Sequence, residues 1–71
     1  MKTMHKMVAD QKTQFETERT FRKLIKQASG KDELLALDKR IERHYNNGTL
    51  SAKGFMRLDV RIMERLANEE A

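Results

Sequence analysis

The sequence predicts an all-α fold, a small three-helix domain whose last two helices form an antiparallel αα-hairpin. Three observations predict it. Proline is absent and the three glycines stand apart. Apolar residues recur at three- and four-residue spacing, the period of a helix with one buried face. A pattern over residues 34–45 also returns in residues 55–66.

Helix one is expected over about 13–29. Thr13 and Glu16 form a capping box, in which the Thr13 hydroxyl accepts from the Glu16 amide and Glu16 reaches back. Phe21, Leu24, Ile25 and Ala28 make its apolar stripe, and Gly30 offers a left-handed stop. Residues 1–12 are read as an uncertain N-terminal segment or a helix extension. Met4, Met7 and Val8 share a stripe there that does not run cleanly into the next. The single helical domain is assigned to residues 13–71.

Helix two is expected over about 32–46. Ser29 and Asp32 have the spacing of a capping pair, and Asp32 and Glu33 suit the positive end of the helix dipole. Leu34, Leu37, Ile41 and Tyr45 form its stripe, and Asn46, Asn47 and Gly48 end it. Helix three, over about 52–67, has Ser51 as N-cap. Leu50 ahead of the cap can pack on Phe55, a hydrophobic staple. Leu58, Ile62 and Leu66 continue its stripe.

The last two helices share a core. Leu37, Asp38, Arg40 and Ile41 return as Leu58, Asp59, Arg61 and Ile62, with Leu34 and Tyr45 matching Phe55 and Leu66. Two matched amphipathic helices across a short turn make the hairpin.

Composition narrows the function classes. At 71 residues the chain is one domain at most, too small for both a core and a deep catalytic cleft. Leu, Ile, Val and Phe supply 15 of the 71 residues, close to the level where ordered folding fails, so a partner or a second copy can supplement stability. Without Cys there is no disulfide and no thiolate metal site. The longest apolar run, residues 34–37, cannot span a bilayer. The first seven residues lack the apolar stretch of a secretory signal. An intracellular, cytoplasmic protein that does not act at a membrane is expected. Small basic helical chains of this kind are in the style of phage, plasmid and bacterial accessory proteins.

Chemistry-bearing constellations are few. Asp38 and Asp59 fall within the apolar arcs of their helices, and the hairpin register sets them near each other. One pKa would then rise, as in a carboxylate dyad. No nucleophile, metal-ligand set or phosphate loop accompanies them. Their expected role is structural, each taking a hydrogen bond or a charge from another helix, with Arg or Lys of helix one as one source. His5 and His44 lack metal-binding spacing, and His44 suits the C-terminal end of helix two. No cofactor is implied and the chain is expected not to be an enzyme.

Charge is uneven. Residues 1–31 carry eight Lys/Arg against three Asp/Glu, and residues 32–71 carry seven against eight. On helix one Lys12, Arg19, Arg22, Lys23 and Lys26 share an arc with Phe15, opposite the apolar stripe. These five are candidate contacts for phosphates or another anion. On helix three Lys53, Arg57, Arg61 and Arg65 form a second row at four-residue spacing. Glu64 and Glu69 can relieve Arg61 and Arg65 but not Lys53 or Arg57.

Helix three also has a second apolar stripe, Met56, Val60, Met63 and Ala67. The expected explanation is that helix one covers it and closes the core. The alternative is an exposed ridge for a partner, formed by Met56, Val60, Met63, Arg57 and Arg61. A protein-binding regulator, an inhibitor or modulator of a larger protein with an acidic or apolar docking surface, is therefore the leading expectation. A nucleic-acid-binding regulator using both basic rows is the alternative, and a homodimer would also bury the excess apolar arc.

Overall fold

Asp10 decides where the first helix begins. Its carboxylate accepts a 2.9 Å hydrogen bond from the Thr13 amide, so the cap lies three residues ahead of the expected capping box. Asp is the stronger cap of the two, and Thr13 is left inside the first turn. The computed structural model describes residues 10–70, which form α1 (Gln11–Gln27), α2 (Lys31–Asn46) and α3 (Ala52–Glu70). Expectations for residues 1–9, including Met4, His5, Met7 and Val8, lie outside the described residues. The three-helix, all-α expectation holds.

The α1–α2 junction differs from the expected one. Gly30 is extended (φ 175°) rather than left-handed, and the chain leaves α1 at Ala28. No left-handed residue is needed because another helix satisfies the end of α1. The Arg65 guanidinium of α3 donates to the carbonyls of Ile25, Lys26 and Ala28. A cation there also complements the negative end of the helix. Ser29 pairs with Glu33 instead of Asp32. Its amide and hydroxyl donate to the two Glu33 carboxylate oxygens at 2.9 Å each. The amide bond holds the Glu33 carboxyl below its usual range.

The other turn forms as expected. Gly48 takes φ 84°, with its amide on the Tyr45 carbonyl and the Thr49 amide on that of His44. That is a Schellman closure, which favours glycine at this position. Leu50 is buried, and the Ser51 hydroxyl caps α3 by accepting from the Gly54 amide at 3.0 Å.

The core is drawn from all three stripes: Phe21, Ile25 and Ala28 of α1, Leu34, Leu37 and Ile41 of α2, and Leu50, Leu58 and Ile62. Leu24, Phe55 and Leu66 pack against its edge. α2 and α3 meet in hairpin order. Tyr45 stacks on Phe55 near the turn, with centroids 4.6 Å apart, and Asp38 lies by Asp59 further along. α1 runs in the same direction as α3. Gln14 donates to the Gly48 carbonyl at the turn, Glu18 meets Arg57, and the end of α1 meets Arg65. α3 is thus the central helix, packed against both others, while α1 and α2 touch least.

Candidate functional site

The position of α1 on α3 defines what each face of α3 can do. Glu18 falls in register with Phe21 and Ile25, so the helix carries a carboxylate into the core boundary, where its side chain is only 4 % exposed. Arg57 meets it with two bonds, Nε to Oε2 at 2.7 Å and Nη2 to Oε1 at 2.9 Å. Arg22, one turn along α1, adds a third at 3.3 Å. The Arg57 hydrogen bond is the main cause that holds the Glu18 carboxyl below its usual range. Gly54 makes room for the group. A Cβ there would stand 3.1 Å from Glu18 Oε1, 3.1 Å from Leu50 Cδ1 and 3.2 Å from Ser51 Oγ. A bidentate pair fixes angle as well as distance. It therefore sets the register of α1 on α3.

This contact divides the residues grouped for partner binding. Arg57 is turned to Glu18, and Arg61 lies with Arg22 and Lys26 along the α1–α3 seam. Met56, Val60 and Met63 lie on another face, 64 %, 52 % and 60 % exposed, with Ala67 exposed beyond them. Helix one does not cover this stripe, contrary to expectation. It packs instead on the face of Gly54, Arg57 and Arg65, because those residues satisfy its carboxylate and its C-terminal carbonyls. The ridge is left outside.

Beside the ridge the hairpin brings Asp38 and Asp59 together, both half-buried. Burial first, then the charges of Asp59 and Glu42, push the Asp38 carboxyl above its usual range. Among the described residues, no hydrogen bond or cation from helix one, one of the sources considered, reaches either Asp. Among the described residues, the α1 side chains that bond across to α3 or the turn are Gln14 and Glu18, neither of them a cation. Low dielectric and like charge act together here, as in a dyad. Among the described residues no group of three or more His, Asp or Glu could hold a metal ion. No helix there is long and apolar enough to cross a membrane.

The two basic rows meet. Lys12, Arg19, Arg22, Lys23 and Lys26 are all exposed on the outer side of α1. An open groove of about 360 Å³ runs between α1 and α3, lined by Arg22, Lys26, Arg61 and Arg65 with Glu64 among them. Arg65 reaches Glu69 (3.5 Å) as its spacing suggested, besides the carbonyls of α1. Arg40, the repeat partner of Arg61, flanks α1 from α2, its guanidinium 5.4 Å from the Phe21 ring. His44 meets the same ring edge-on at 5.2 Å, and its Nδ1 lies 2.7 Å from the Thr49 hydroxyl.

Sequence reasoning missed Glu18, Gly54 and the capping role of Arg65. The signal for the first two was present. Glu18 occupies a stripe position of α1, and Gly54 stands one turn ahead of Leu58 on the stripe of α3. A carboxylate on one buried stripe and a glycine on another mark a close polar contact.

Compared with protein-family models, with curated proteins and with solved structures, the chain matches none.

Proposed function

We propose that this chain is a small non-enzymatic interaction protein that docks on a larger protein through the α3 ridge and modulates that protein's activity. The observation that carries the reading is the exposure of Met56, Val60 and Met63 on the helix that packs against both others. Their spacing, four residues and then three, is that of a helix–helix seam. Met adapts to irregular partner surfaces better than branched residues do.

The chemistry beside the ridge narrows the partner. Asp38, Asp59 and Glu42 form an acidic flank. An amphipathic helix with an apolar stripe and Lys or Arg along one edge would bury the ridge and relieve that repulsion. Two copies of this chain paired antiparallel fit less well. Antiparallel pairing of two α3 ridges sets each acidic flank against its own copy, and like charges in contact disfavour the pair. The preferred occupant is a foreign helix with a basic edge.

The test is selection of peptides from a random library on the immobilised full chain. The expected peptides share apolar residues at helical spacing with a basic edge, and lose binding to the Met63→Asp variant. Peptides that bind Met63→Asp equally well, or that carry an acidic edge, would contradict the reading.

A further inference from the structure

We propose that the basic face shared by α1 and α3 binds single-stranded nucleic acid, with phosphates along Arg22, Lys26 and Arg61 and a base stacked at Phe15. This surface is separate from the α3 ridge, and it rests on different observations.

The first observation is composite charge. Arg22 and Lys26 of α1 and Arg61 of α3 line one groove, although they belong to rows 35 or more residues apart in sequence. Lys12, Arg19 and Lys23 extend the charge over the exposed side of α1. Glu18, beneath it, is already neutralised by Arg57 and Arg22, and Glu64 is the carboxylate lining the groove. The face is therefore strongly positive, which suits a polyanion.

A second observation is the ring. Phe15 is 59 % exposed in the midst of these cations, with the Arg19 guanidinium 5.9 Å from its centroid. It borders a hollow that also includes Ser51, the first residue of the α3 cap, so it stands at the other end of the same α1–α3 seam. An apolar ring of this size gains nothing from solvent, and among the described residues it belongs to neither the core nor the side chains packed against it. Paired with a guanidinium it forms a flat platform for a base, and every base has a π-face. From Phe15 to Lys26 the helix rises roughly 16 Å, enough for a short strand to lie along it.

Single strands fit better than duplex. In a duplex the bases are stacked within the helix and cannot reach Phe15, whereas an unpaired strand presents both base faces and phosphates. An acidic protein would meet the cations equally well but would leave the ring without a role.

The experiment is fluorescence anisotropy of labelled oligothymidylate, and of a duplex of the same length, with the full chain. The expected result is tighter binding of the single strand, falling steeply between about 50 and 200 mM salt. Phe15→Ala should weaken it by roughly tenfold. Lys26→Gln with Arg61→Gln should lower the salt slope by about 1.4, since each phosphate contact on a single strand contributes about 0.7. Lys39→Gln removes an exposed cation of α2 outside the face and should change the affinity least. All these side chains are exposed, and unchanged far-UV circular dichroism would show that the variants fold. Absence of binding at low salt, duplex bound as tightly as single strand, or no effect of Phe15→Ala would overturn the proposal. So would displacement of the oligonucleotide by polyglutamate at equal charge, which would assign the face to an acidic protein.

Discussion

Replacing Arg57 with Ala removes the interaction that fixes α1 on α3, and its cost can be worked from the geometry. Glu18, with a side chain 4 % exposed, loses two charge-assisted bonds of 2.7 and 2.9 Å. Stranding one member of a buried pair costs about 3–5 kcal/mol in general. Two features reduce that here. Arg57 is itself 55 % exposed, and Arg22 still reaches the carboxylate at 3.3 Å. The expected cost is about 2 kcal/mol, or roughly 10 °C in Tm for a domain of this size. Urea and thermal unfolding followed by circular dichroism would measure it. In a Glu18→Ala background the same replacement should cost less than about 0.5 kcal/mol, the ordinary range for a surface site. The penalty should also depend on pH. The Glu18 carboxyl is held below its usual range in the folded chain. Its contribution is therefore complete above the ordinary carboxylate pKa and is lost as pH falls through the depressed value. A cost for Arg57→Ala that is under about 0.5 kcal/mol in both backgrounds would refute the reasoning.

Other consequences are open to the same unfolding assays. Gly54→Ala should destabilise by about 1 kcal/mol despite the better helix propensity of Ala, because its Cβ would meet Glu18, Leu50 and Ser51 at 3.1–3.2 Å and all three are held in place. Arg65→Met should cost about 1–2 kcal/mol and speed hydrogen exchange at the end of α1, whose carbonyls it caps. Asp38→Asn should stabilise the chain at neutral pH by up to about 1 kcal/mol. The Asp38 carboxyl is raised in the folded state, so wild-type stability falls as pH rises through that value, and the gain from Asn should vanish at acid pH. Met56→Lys and Met63→Lys should each change stability by less than about 0.5 kcal/mol, since the side chains are exposed. Losses of 2 kcal/mol or more would mean that the chain covers its own ridge.

Periodicity made the core legible. Phe21, Ile25, Ala28, Leu34, Leu37, Ile41, Leu58 and Ile62 all fall on stripes apparent from spacing alone, and all are buried. Local chemistry made two boundaries legible as well, at Gly48 and Ser51, where the closing groups lie within a few residues. The α1–α2 junction was not legible, because the residue that satisfies it, Arg65, is 37 positions from Ala28. The same limit explains the ridge. Which face of α3 receives α1 depends on Glu18 finding Arg57, a pairing 39 positions apart. Spacing shows that α3 has more apolar surface than a hairpin buries. Only the Glu18–Arg57 contact shows which part is left over.

The most direct test of the account is methyl NMR of Met56 and Met63 as a selected peptide is added to the full chain. Docking on the ridge should shift both methyl signals, saturating together, while amides of the basic side of α1, from Arg19 to Lys26, stay in place. Unmoved methyls with shifts concentrated on α1 would contradict it, and would move the protein-docking surface away from the ridge.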